Sequence, residues 1–282
     1  MERGAVLFQS EEESYRLFQP RPSDVIISPF AKCGTTWLQQ IAHSLRTDGD
    51  MDFDDIYEVV PFIDLALDMG IDLDGPQKAE PRLFKSHYGW DEIPKGCRYI
   101  VSFRDPQDAV VSFYYFMTGW LIEPGAIPLE EFVEYRAFDR ERGPDYWDHM
   151  ASWLRQRDNP DVLLLTFEEM KRDLRRAVEK VASFMGIDDE ESIEIAVEHS
   201  TFEFMSTHSE PFSEAWSRHR TAQLFGIPAD SDITKVRKGT VGQNRQELSP
   251  DTRRRLDTIW EQTITPEFGY TSYEHLNNEL SD

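Results

Sequence analysis

Residues 28–37 read Ser-Pro-Phe-Ala-Lys-Cys-Gly-Thr-Thr-Trp and directly follow the apolar run Val25-Ile26-Ile27. A short β-branched run of this kind predicts a buried strand. Behind it, Trp37, Leu38, Ile41, Ala42 and Leu45 recur near the helical period. The chain must therefore pass from strand to helix through a turn carrying Lys32 and Gly34, with Thr35 and Thr36 at the helix start. The first N–H groups of a helix and its dipole favour an anion. Lys32 adds a full positive charge and the threonines add hydroxyl donors. The stretch predicts a nucleotide-phosphate cradle. It is not the common ATP loop, in which the lysine follows the last glycine; here the lysine precedes the glycine by two residues.

The rest of the chain extends this pattern. Arg82 to Ser86, Arg98 to Phe103 and Val162 to Phe167 predict further strands. A helix is expected from Pro106 through Met117, and Pro106 suits its first turn. Thr166 and Glu169 have capping-box spacing, which predicts an amphipathic helix to about Phe184, stopped by Gly186. Another helix is expected over roughly 189–198, and Ser249-Pro250 predicts the start of a last long one. Residues 47–80 read as short helices and loops. Alternating strands and helices predict an α/β fold with a central parallel sheet flanked by helices, taken as one domain over residues 1–282. Ligands in such sheets sit beyond the carboxyl ends of the strands. Lys32, Lys85-Ser86-His87 and Arg104 all lie just past a predicted strand end.

The formal charge is −23, with 30 Lys and Arg against 53 Asp and Glu. A solvated acidic surface or a salt-adapted source accounts for it. Nucleic acid is excluded as a partner, because phosphate neutralisation needs a basic face. An anionic cofactor is compatible only if Lys and Arg are concentrated locally. The sequence has no apolar window of signal-peptide or membrane-spanning length, which predicts a cytoplasmic protein. Cys33 and Cys97 have no zinc or redox-pair spacing, and the seven histidines form no ligand motif, so no metal site is expected.

Three separated blocks carry a resemblance. Ala31-Lys32-Cys33-Gly34-Thr35-Thr36-Trp37 is similar to the 5′-phosphosulfate loop of cytosolic-type sulfotransferases. Arg104, Pro106, Asp108 and Ser112 fill that family's 3′-phosphate pattern, Arg-x-Pro-x-Asp-x-x-x-Ser. Arg237-Lys238-Gly239 resembles the loop that closes over the same phosphate. Lys85-Ser86-His87 matches the Lys-Thr/Ser-His segment at the intervening strand end. Trp37, Ser200, Phe202 and Met205 match residues around the adenine, and Phe167 stands where the family usually has tyrosine.

The resemblance implies a sulfotransferase that uses 3′-phosphoadenosine 5′-phosphosulfate and releases adenosine 3′,5′-bisphosphate. In that reading His87 takes the proton of an acceptor hydroxyl, while Lys32 and Lys85 stabilise charge on the bridging oxygen and the sulfuryl group. A reference pKa near neutrality, about 6.5, suits a histidine to the base role. The acceptor is a small molecule. Tyr57, Phe62, Phe116, Trp120, Trp216 and Phe225 are candidate pocket walls, which favours an apolar or aromatic alcohol; a carbohydrate or glycolipid is also compatible. The rival classes are an ATP-dependent kinase on a related loop, which lacks its Gly-Lys-Ser/Thr here, and a catalytically silent nucleotide-binding module, which would not need Lys32, Lys85 and His87 together.

Two departures from the family stand beside that of Phe167. Gln243-Asn244-Arg245 runs into Leu248 without the Thr-Val pair through which family members associate, so no oligomeric state is implied. Cys33 replaces the usual serine or alanine. Beside Lys32 and a helix start it reads either as a reactive thiolate or as an inert filler pointing into protein.

Overall fold

The computed structural model describes residues 11–118, 122–123, 125–138, 145–225 and 244–281. A short helix, α1 (Glu11–Leu17), precedes β1 (Val25–Ile27) and the helix after the phosphate-loop motif, α2 (Thr35–Thr47). The acidic stretch that follows holds α3 (Ile56–Val59) and a 3-10 turn at Ile63–Leu65, then β2 (Leu83–Lys85) and β3 (Arg98–Phe103). Pro106 opens α4 (Pro106–Met117), and the Asp105 side chain caps it by accepting from the N–H groups of Gln107 and Asp108. Next come α5 (Leu129–Val133), α6 (Tyr146–Leu154) and β4 (Val162–Thr166).

All four strands are parallel, in the order β2-β1-β3-β4. Val25 lies opposite Leu83 on one side and Arg98 on the other. From β1 the chain crosses to β2 on one flank, and from β3 it crosses to β4 on the other. The order therefore reverses between β1 and β3, the place where ligands bind in open parallel sheets.

Side chains alternate across the sheet. Ile26, Phe84, Tyr99, Val101, Phe103 and Leu164 pack against one buried cluster, with Trp147 and Trp153 of α6. Val25, Ile27, Leu83, Ile100 and Leu165 pack against the other, with Leu38, Ile41 and Leu45 of α2. Both faces are covered, which is why the strands read as continuous apolar runs.

The predicted long helix after β4 is two helices. Thr166 does accept from the Glu169 N–H, starting α7 (Phe167–Arg172). The reciprocal half of the capping box goes elsewhere, because the Glu169 carboxylate pairs with Lys180. Asp173 leaves helical geometry and caps α8 (Leu174–Met185) through the Arg176 N–H. An aspartate side chain competes for backbone N–H groups in this way and resets the helix. Gly186 ends α8 at φ 78°, as expected.

Asp189 caps α9 (Glu190–His199), and α10 (Phe202–Thr207) and α11 (Ala215–Phe225) follow. Ser249 caps α12 (Pro250–Thr263). This helix is not the last: α13 (Thr265–Phe268) and α14 (Tyr273–Ser281) come after it. Among the described residues no helix is long and apolar enough to cross a membrane.

At the end of the sheet away from the motif, Asp24 and Arg82 form a fully buried pair. Two guanidinium nitrogens donate to the two carboxylate oxygens at 2.9 and 2.6 Å, and a third donates to the Leu73 carbonyl at 2.8 Å. The pair locks the start of β1 to the start of β2. Removing one partner strands a buried charge, so Asp24→Ala is expected to cost about 3–5 kcal/mol of stability in urea unfolding. A loss below about 1 kcal/mol, that of an exposed pair, would show that the lock is idle.

Candidate active site

The loop from β1 to α2 turns on two left-handed residues, Lys32 at φ 68° and Gly34 at φ 104°. A Cβ on Gly34 would sit 3.2 Å from Ser102 Oγ and 3.3 Å from a ring carbon of Phe167, so only glycine fits without displacement. Two side chains of the β3 end pin the loop. Ser102 Oγ donates to the Cys33 carbonyl at 2.6 Å, and Arg104 donates to the Lys32 carbonyl at 3.0 Å. Unlike α8, α9 and α12, α2 begins with no side-chain cap, and its first turn holds no acidic residue. That leaves a helix start suited to an anion.

Cys33 is fully buried, with Sγ directed at the Ala31 carbonyl at 3.8 Å. Burial pushes its thiol up to about 12, outweighing the opposing charges of Arg104 and Lys32. Of the two readings of Cys33, burial favours the inert one, since desolvation outweighs the helix start and the lysine.

Arg104 is buried, with its guanidinium carbon 4.4 Å from the Phe167 ring centre. Tyr146 donates to the Arg104 carbonyl and holds the strand end. Asp108 is not a ligand-facing acid: it is buried and accepts from the Arg245 N–H at 3.0 Å, tying α4 to the segment before α12. Ser112 lies one turn further along α4, half-buried.

The adenine candidates also meet. Trp37 Nε1 donates to the Ser200 carbonyl at 2.7 Å, and its ring lies 5.5 Å from that of Phe167. Phe202 is 49 % exposed, a large ring left at the surface beside them in sequence. Met205 is buried in the α2 face of the core. Three buried polar atoms of the candidate site, Thr35 Oγ1, Arg104 Nε and Ser200 Oγ, have no hydrogen-bond partner among the described residues. Buried polar atoms ordinarily find one, so the residues fit a ligand rich in phosphate and heteroatoms.

Lys85 closes β2 and His87 follows two residues on. The strand is shorter than Arg82 to Ser86, so strand alternation does not carry from one side chain to the other. Phe62 brings them together instead. Its ring lies 3.8 Å from Lys85 Nζ and 5.4 Å, edge to face, from the His87 ring. His87 Nδ1 lies 2.7 Å from the Pro29 carbonyl in the phosphate loop. A carbonyl only accepts, so Nδ1 carries the proton and the lone pair of the neutral ring is on Nε2. Lys32 Nζ lies 4.4 Å from the Phe116 ring centre.

Several partners were not legible in the sequence. Ser86 Oγ lies 2.6 Å from Tyr15 OH, which donates to Asp64 at 2.6 Å. Burial pushes the Asp64 carboxyl up to about 7. Tyr15 also stacks on Tyr88 at 4.1 Å, so α1 is seated directly on the Lys85–His87 segment. Glu214 reaches Lys85 from the far end of the chain at 3.4 Å. Their link to the site is spatial, and no motif announces it. Among the predicted pocket walls, Tyr57 is fully buried against Lys85 and Trp216 is half-buried. Trp120, Arg237, Lys238 and Gly239 lie outside the described residues; Phe225 ends α11, with its side chain outside them.

A phosphate-loop motif at the reversal point of a parallel α/β sheet, with a lysine and a histidine at the neighbouring strand end, has the make-up of a nucleotide-dependent group-transfer enzyme. Residues 22–267 match the family described as the sulfotransferase domain. Sulfotransferase 1E1 of Cavia porcellus is 30% identical over 272 residues, covering 84% of this chain and 90% of that protein. Sulfotransferase 1B1 of Mus musculus is 28% identical, covering 88% and 85%. The fold is similar to that of retinol dehydratase in complex with retinol and PAP (TM-score 0.70, 19% identity, 92% of this chain and 86% of that one). It is also similar to mouse sulfotransferase SULT7A1 complexed with PAP (TM-score 0.66, 21% identity, 97% and 92%). The chain belongs to the sulfotransferase family and is an enzyme of the class that uses 3′-phosphoadenosine 5′-phosphosulfate.

The burial of Cys33 has a chemical consequence. In the native chain at pH 8, iodoacetamide is expected to leave Cys33 unlabelled by mass spectrometry, while urea exposes it. Rapid native labelling of Cys33 that bound nucleotide suppresses would restore the reactive reading.

Proposed function

We propose that this enzyme moves the sulfuryl group of 3′-phosphoadenosine 5′-phosphosulfate to the hydroxyl of a small apolar or aromatic alcohol, with His87 as general base. The observation that carries the reading is the hydrogen bond from His87 to the Pro29 carbonyl, which ties the base to the phosphate loop and directs its lone pair to Nε2. Thr35, Thr36 and the α2 start would hold the 5′ end of the donor, with Lys32 beside them. Arg104 and Ser112, with Arg237 and Lys238, would hold the 3′-phosphate. Trp37, Phe167, Ser200 and Phe202 would receive the adenine. When bound, the donor supplies a sulfur whose bond to the bridging phosphate oxygen breaks as the acceptor oxygen attacks.

His87 Nε2 takes the acceptor's proton as its oxygen bonds to sulfur. Lys32 and Lys85 set positive charge where negative charge grows on the bridging and sulfuryl oxygens. Aromatic walls at Tyr57, Phe62, Phe116 and Trp216 exclude water and favour a flat or apolar acceptor. A kinase reading gains nothing from this site, because the lysine precedes the glycine of the loop.

Turnover of a panel of phenols, aliphatic alcohols, sterols and sugars with the phosphosulfate donor tests the function. Sulfated phenols or apolar alcohols are expected. Phosphorylation with ATP and magnesium, in place of sulfation, would overturn it. His87→Ala is expected to lose about 10²–10⁴-fold in turnover, the usual worth of a general base, while still binding adenosine 3′,5′-bisphosphate in calorimetry. Turnover near that of the parent would remove His87 from the reaction. Adenosine 3′,5′-bisphosphate is also expected to bind far more tightly than AMP, and equal affinities would contradict the 3′-phosphate role of Arg104 and Ser112.

A further inference from the structure

Lys85 is a buried cation, 3% exposed, at the end of β2. Leaving a lone ammonium there would cost several kcal/mol or strip its proton. Its ammonium donates to Tyr57 OH at 2.6 Å and reaches Glu214 Oε1 at 3.4 Å. Tyr57 OH in turn donates to the same Glu214 carboxylate. The three side chains come from β2, α3 and the residue just before α11, so only the fold assembles them. Glu214 is itself buried and adopts φ 53°, a conformation that a side chain other than glycine rarely takes. Tyr57 is held far on the protonated side by burial and by Glu214, which keeps it a donor to the carboxylate and an acceptor from the lysine.

We propose that Glu214, through its closed triangle with Tyr57, is a positioning residue that keeps Lys85 charged and aimed at the sulfuryl group. The proposal rests on the sulfuryl-transfer reading. Lys85 is useful to the reaction only as an ammonium. Its N–H groups must also point in a set direction, because a flexible four-carbon stem does not fix it. Two of its donors are directed by Tyr57 and Glu214, and the Phe62 ring fills a further side at 3.8 Å.

The other ionisable groups near Lys85 do not substitute for Glu214. Asp64, from the 3-10 turn, is pushed up to about 7 by burial and is engaged by the Tyr15 hydroxyl rather than by the ammonium. His87 is held on the Pro29 carbonyl. Asp55 acts on Tyr57 and serves as the cap of α3. Among the described residues, Glu214 is therefore the carboxylate in contact with the ammonium.

The sign of the effect follows. A carboxylate beside a buried lysine raises the pH at which the proton leaves. Removing it lowers that pH, and activity that needs the ammonium is lost earlier as pH rises. In Glu214→Gln the alkaline limb of kcat/KM is expected to move to lower pH by about 1–3 units, the effect of an opposite charge at this range. Glu214→Asp is expected to recover part of the shift. Affinity for adenosine 3′,5′-bisphosphate should stay at the parent value, since among the described residues the side-chain contacts of Glu214 are with Lys85 and Tyr57.

A second readout does not depend on turnover. NMR titration of labelled lysine, with Lys85→Arg used to assign the signal, should show the Lys85 midpoint falling in Glu214→Gln by the same amount as the rate profile. If that variant does not fold, Tyr57→Phe should lower the midpoint in the same direction, because the hydroxyl that bridges the pair is gone. An unmoved Lys85 midpoint in a folded variant overturns the proposal. Failure of the parent enzyme to sulfate any alcohol would instead sink the function, and the midpoint would still decide the role of Glu214 in holding the charge.

Discussion

The structure depends on how the loop after β1 is held from β3. A seven-residue passage from strand to helix, with two residues in left-handed conformation, is not stable by local propensity. Ser102 and Arg104 bind two successive carbonyls of that loop, at Cys33 and Lys32. Both come from the adjacent parallel strand, so the loop's shape follows from strand pairing between β1 and β3. The same arginine is the strand-end cation of the second nucleotide block. One side chain thus shapes the loop and brings a cation to it.

Charge placement is the second constraint. A chain of net charge −23 repels an anionic donor at long range, and the repulsion is screened over about 8–10 Å at physiological salt. What counts is the local concentration of cations at the sheet end. Each is stabilised in its own way: Arg104 by a carbonyl and the Phe167 ring, Lys85 by Glu214 and Tyr57, Lys32 beside the Phe116 ring. Burying them costs solvation, and the partners offset that cost while keeping the charge where an anion arrives.

Much of the site was readable because its members are close in sequence. Lys32 to Trp37 lie on one loop and one helix start, and Arg104 to Ser112 on one strand end and one helix. Where a side chain's role depends on a distant partner, the reading failed or stayed open. Cys33 had a lysine and a helix start beside it, and both favour a thiolate. Its burial decided the opposite, and burial is not encoded in neighbouring residues. Lys85 and His87 stand two residues apart, but β2 ends at Lys85, so strand alternation does not pair them and the Phe62 ring makes the connection. Asp173 shows the same limit within local structure, since its competing cap divides a helix whose apolar pattern continues across it.

The sequence alone determined the four strands and their order along the chain, the parallel class of the sheet, the phosphate-loop motif and the family. These follow from short-range chemistry: apolar runs, capping residues and a lysine–glycine–threonine turn. Only the tertiary structure decided which strands are neighbours, that Ser102 pins the loop, that Tyr15 and Asp64 stand behind Ser86, and that Glu214 faces Lys85. Those contacts join residues 49 to 129 positions apart. They exist because packing two apolar faces of one sheet brings the strand ends to a common edge, and no periodicity along the chain records which side chains meet there.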